Sequence, residues 1–168
     1  NMFTTNDVAD WFNFIVIKPY GPGHYINGFA VVGNVFRSLN GRIDRVEHVD
    51  TTFADLDMNR TRKFEFTANT FHNVNAEVSN PAPLGFEQAT AATTWVMDTE
   101  NALPFGGQAK TVESVMPEGA ITDSGGVRRH DFPWAEGEQG ADLQSVHLNW
   151  STPVKGRVRY QVRMDRTD

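Results

Sequence analysis

The chain has 168 residues, a formal charge of −6, 39% hydrophobic residues and no cysteine. That length suits one domain whose core stands without staples, and the missing cysteine excludes disulfides, thiolate metal sites and a thiol nucleophile. The acidic balance argues against nucleic acid, which is bound by neutralising phosphates, and no apolar run approaches the ~20 residues of a membrane-spanning helix.

The first segments, "WFNFIVIKPY" (11–20) and "INGFAVVGNVF" (26–36), are apolar on nearly both faces and read as central strands covered on each side. Before them, "TNDVADW" (5–11) has helix-capping residues and predicts a short helix. "IDRVEHVDT" (43–51) is a weaker strand candidate. "KFEFTA" (63–68) is a clear one, with Phe64, Phe66 and Ala68 alternating against Lys63, Glu65 and Thr67. "VNAEV" (74–78) alternates in the same way. "FEQATAA" (86–92) predicts about two helical turns, and "TTWVMD" (93–98) and "AKTVESVM" (109–116) predict strands. "SVHLNW" (145–150) and "KGRVRYQVRMD" (155–165) close the series; in the last, Val158, Tyr160, Val162 and Met164 alternate with polar residues. Gly/Pro-rich pieces such as "KPYGPGH", "SNPAPLG" and "SGG" punctuate the strands.

About ten short strands and at most one or two short helices predict an all-β chain. The expected form is a single domain, residues 1–168, folded as an antiparallel sandwich of jelly-roll type or a partly closed barrel. No internal repeat stands out.

The densest concentration of chemistry is "GGVRRHDFPWAEGEQG" (125–140). Arg128 and Arg129 suit a carboxylate or phosphate through forked hydrogen bonds, and Trp134 offers a flat face to a sugar or a base. His130 and Asp131 form a proton-handling pair only if the backbone turns there, because neighbours on a strand face opposite ways. Pro133 favours such a turn. The plainer reading is a surface loop pinned by Phe132 and Trp134 entering the core, its charges solvated. His24 and Tyr25, in "YGPGHY", form a second candidate that rims a pocket or simply builds a strand connection.

Asp55, Asp57 and Asn59 have the odd spacing that begins a calcium loop. The match then fails, with Arg60 where glycine is needed and Phe66 where glutamate is needed. Calcium is therefore only a weak expectation. His24, His48, His72, His130 and His147 are too far apart for a local metal pair. Arg157, Arg159 and Arg163 fall on one face of the last strand, as a docking row for a partner or as partners of acidic residues on a neighbouring strand. Charge supports the former weakly: residues 1–126 hold 8 basic against 15 acidic groups, and residues 127–168 hold 7 against 6.

No nucleophile elbow, P-loop or S-x-x-K occurs. Three classes of function follow. The leading one is a non-catalytic β module that binds a protein partner or copies of itself, as a structural, shell or appendage subunit does. The others are an enzyme with its site in a groove, such as a carbohydrate-active hydrolase or lyase or a small-molecule isomerase or cyclase, and a small-molecule carrier. A glycan or small ligand suits the 128–134 loop, and an extracellular or particle-associated setting is favoured over a cytoplasmic one.

Overall fold

The structure, a computed structural model, describes residues 1–166. Eleven strands and two three-residue 3-10 turns, Met58–Arg60 and Pro104–Gly106, carry the fold. The all-β expectation is met, and no closed barrel forms among the described residues. The chain gathers into two compact units. One holds Asn1–Pro81, Asn101–Gly107 and the segment from Met164; the other holds Ala82–Glu100 and Gln108–Arg163.

The first unit contains β1 (Met2–Asn6), β2 (Ile15–Ile17), β3 (Asn27–Val32), β4 (Val35–Leu39), β5 (Glu47–Val49), β6 (Arg62–Thr67) and β7 (Thr70–His72). Every ladder among these strands is parallel: β1 with β4 and β4 with β7, β2 with β5, β3 with β6. Partners such as Met2 and Val35, Ile15 and Glu47, or Asn27 and Arg62 are 32 to 35 residues apart. The first two circuits of chain thus lay three strands each and β7 begins a third, each stacking on the one before, which is the geometry of a parallel β-helix. This is the internal repeat that the sequence reading lacks.

Stacking sets like on like. Phe3, Phe36 and Phe71 form a ladder with centroids 5.3 and 5.9 Å apart, and Phe29 stacks on Phe64 at 5.2 Å. Beside them Asn1 Nδ2 donates to Asn34 Oδ1 and Asn34 Nδ2 to Asn69 Oδ1, each at 3.2 Å. Such ladders satisfy the amides of each turn with those of the next. Phe36, Ile43, Val46, Phe64 and Phe66 fill the interior. Val16 and Val32 are exposed, so these strands are covered on their inner face alone and not on both as expected. Residues 5–11 do not form the expected helix. β1 runs to Asn6, and Asp7 N continues the ladder by donating to Leu39 O.

Buried polar groups fasten the later segments of this unit. The Asp165 carboxylate accepts from Phe64 N and from Asn80 Nδ2, both at 3.0 Å, while Asn80 Oδ1 accepts from Met164 N at 2.8 Å. Glu47 Oε1 accepts from Arg45 Nε and Nη2 and from Phe105 N.

The second unit is antiparallel throughout. It comprises β8 (Ala82–Asp98), β9 (Thr111–Pro117), β10 (Trp134–Gln139) and β11 (Ser145–Arg163). The predicted helix 86–92 lies inside β8, because pairing with β11 over the strand's length outweighs local helix propensity. Trp95, Met97, Leu148, Val158, Tyr160 and Val162 form its core. Trp95 Nε1 donates to Val154 O at 3.1 Å and Tyr160 Oη to Asp98 O at 2.9 Å. "VNAEV", by contrast, is not a strand; Val74 makes only a bridge to Ile43.

A candidate ligand groove in the antiparallel unit

One edge of β11 changes partner along its length. Residues 145–149 pair with β10 and residues 158–163 pair with β9, leaving β9 and β10 splayed like a fork. Into the gap reaches a hairpin formed by residues 121–129. Thr122 and Lys155 exchange both backbone hydrogen bonds, at 3.0 and 2.7 Å, and Arg129 N donates to Ile121 O. Gly156 permits this approach, since a Cβ there would lie 2.7 Å from Ile121 Cδ1. Gly137 serves β10 similarly, where a Cβ would strike the Ala109 carbonyl oxygen.

The hairpin is held by Asp123. Its Oδ1 accepts from Gly125 N at 2.9 Å and Val127 N at 3.0 Å, and its Oδ2 accepts from Arg129 Nη2 at 2.7 Å. The Val127 amide, and after it the Arg129 guanidinium, hold the Asp123 carboxyl below its ordinary range. Beyond the hairpin the chain is tied back to β11 by Ser151 Oγ, which donates to Asp131 Oδ2 at 3.0 Å.

Two hollows result, of about 500 and 610 Å³. Arg128, Arg129, His130, Asp131, Ile121 and Trp150 line the first; Glu113, Ser114 and Trp134 line the second. Val115, Phe132 and Pro133 belong to both, so the hollows are contiguous across that wall.

Residues 128, 129, 130, 131 and 134 of the expected ligand set are therefore brought together. The backbone of 129–133 is neither strand nor helix, and His130 and Asp131 both line one hollow. The anchoring is not as expected: Phe132 is 90% and Trp134 56% exposed, while Pro133 between them is buried. In extended chain, residues two apart share a face, so seating Pro133 turns both rings outward.

The other candidates lie elsewhere. His24 and Tyr25 belong to the first unit, where Arg60 covers the Tyr25 ring at 4.0 Å and His24 O accepts from Asp57 N. Asp57 caps the Met58–Arg60 turn by accepting from Asn59 N, and no group of three or more metal-ligating side chains gathers among the described residues. Arg157 and Arg159 both pair with Glu118, at 3.0 and 2.7 Å. Arg163 departs from their exposed row: a register shift between Gln161 and Val162 precedes it, and it is buried, 3.7 Å from Glu113.

Sequence reasoning missed Val115, Ile121 and Trp150 as groove residues. Their local pattern is that of ordinary strand and turn positions, and only the partner change of β11 exposes a floor at Trp150. No family model, curated protein or solved structure matches the chain. No helix among the described residues is long and apolar enough to cross a membrane.

Proposed function

We propose that the protein is a non-catalytic β recognition module and that the forked groove of its antiparallel unit takes a glycan or a ligand of similar size. The observation that carries this reading is the pair of outward-facing rings, Phe132 and Trp134, on the wall shared by two contiguous hollows. Each hollow falls in the size range of small-ligand sites. Two large exposed rings set two residues apart make an apolar patch of the kind that marks a contact surface.

Binding is favoured over catalysis by how the groove's carboxylates are committed. Asp123 is held by two amides and Arg129, Asp131 by Ser151, and Glu113 faces Arg163. A general acid or base needs its proton within reach of a substrate, whereas these carboxylates secure the walls.

The test is a glycan and small-acid array probed with the wild type, Phe132→Ala and Trp134→Ala. Binding that falls at least about tenfold in both variants, as hot-spot aromatics do, supports the reading. Binding that is absent, or that both variants retain, contradicts it.

A further inference from the structure

We infer that the groove selects an acidic saccharide, a sugar chain bearing carboxylates, with Arg128 as the residue that reads the charge. This rests on the binding reading above and specifies its ligand.

Four charged or titratable groups face the hollow nearest the hairpin: Arg128, Arg129, His130 and Asp131. Two are spoken for, since Arg129 is closed on Asp123 and Asp131 accepts from Ser151. Among the described residues the Arg128 guanidinium makes no ion pair or hydrogen bond, although it stands on the wall. Its backbone is fixed by the Thr122 bridge, so the free fork is presented from a defined place. A planar guanidinium with five donors suits a carboxylate bound through two parallel hydrogen bonds.

A second observation points the same way. Trp150, only 4% exposed, forms part of the same hollow, and its indole N–H is a buried donor with no acceptor among the described residues. A buried donor without a partner is costly, and an oxygen-rich ligand seated against Trp150 would offer it an acceptor. Among the described residues the hollow thus carries an arginine without a partner and borders a tryptophan whose buried donor has no acceptor, beside apolar Val115, Ile121 and Phe132. That combination fits an anion carried on a body with an apolar face. Saccharide is favoured over acidic peptide because the groove continues onto the flat face of Trp134 and the hydroxyls of Thr111 and Ser114. Sugar rings match such a surface of flat apolar area edged by hydrogen-bonding groups.

The experiment is calorimetric titration of the intact chain with hexamers of galacturonate and hyaluronan and with an oligosialic acid. Each is compared with its carboxyl-reduced neutral counterpart, and hexaglutamate serves as the peptide control. The expected result is that at least one acidic saccharide binds about ten- to a hundredfold tighter than its neutral form. Arg128→Gln should erase that difference, and Asp131→Asn, which removes the carboxylate lining the same hollow as Arg128, should tighten the acid. Neutral forms binding equally well, with Arg128→Gln silent and Trp134→Ala abolishing binding, would overturn the inference and leave the groove reading standing. No saccharide binding, or binding indifferent to Trp134→Ala, would overturn both. Hexaglutamate binding as tightly through Arg128 would overturn the saccharide assignment alone.

Discussion

Arg129 closes on the Asp123 carboxylate across the hairpin that walls the groove, with Nη2 2.7 Å and Nε 3.2 Å from Oδ2. The other oxygen holds the amides of Gly125 and Val127. One carboxylate therefore sets both the turn and the position of the arginine beside Arg128. Because its pKa is lowered in the folded chain, the sign of the pH effect is fixed. Its contribution is fully present above the ordinary carboxyl value of about 4 and is lost as pH falls toward the lowered one. Protection of the Gly125 and Val127 amides from exchange, taken relative to the intrinsic rate at each pH, should fall on acidification through that window. In Asp123→Ala that protection should already be low at neutral pH and should not change further with acid.

Trp134→Ala should change stability by no more than about 0.5 kcal/mol, as for a surface site. Trp95→Ala, which removes a fully buried ring, should cost about 3–5 kcal/mol. Urea denaturation of the two variants checks this contrast. A large loss for Trp134 would restore the anchoring role expected from the sequence.

Gly137→Ala should destabilise the fork, because the new methyl meets the backbone carbonyl oxygen of Ala109, which has no flexible end to swing away. A cost of about 1–3 kcal/mol is expected for such overpacking, read as a lowered thermal midpoint. Gly41, whose Cβ would meet its nearest atom at 3.9 Å, should accept alanine with little effect.

In the parallel unit, Asn34→Ala should cost about 1–3 kcal/mol. It leaves the Asn1 amide without its acceptor and abandons the side-chain bonds to Asn69 Oδ1 and Val32 O. Asn80→Ala should cost more, since it removes one donor from the buried Asp165 carboxylate and the acceptor of the buried Met164 amide together. Chemical denaturation orders the two.

The strand content was legible because alternation such as Val158–Tyr160–Val162 reports a half-buried pleat wherever it occurs. The direction of pairing was not, since a strand of the β-helix and a strand of a sandwich bury the same every-other face. A signal for the repeat does exist: Asn-Met-Phe, Asn-Val-Phe and Asn-Thr-Phe begin at residues 1, 34 and 69. Their spacings of 33 and 35 are unequal because the connections between strands differ in length, which blurs the period. The site was half legible. Arg128 to Asp131 and Trp134 stood out by residue type, but the floor at Trp150 follows from where β11 exchanges β10 for β9, which depends on register. The "FEQATAA" helix failed for a related reason, its residues being claimed by a seventeen-residue strand.

Whether ligand enters the fork between β9 and β10 is read directly from the four tryptophans, which fall at different places in the molecule. Trp134 and Trp150 line the groove, Trp95 is buried in the core of the same unit, and Trp11 is exposed on the first unit. The measurement is the set of four indole N–H resonances followed by NMR during titration with the saccharide that binds tightest. The account predicts that the Trp134 and Trp150 signals move together in a saturable way while those of Trp11 and Trp95 stay still. Movement of Trp11 alone, or of none of the four under saturating saccharide, would contradict it.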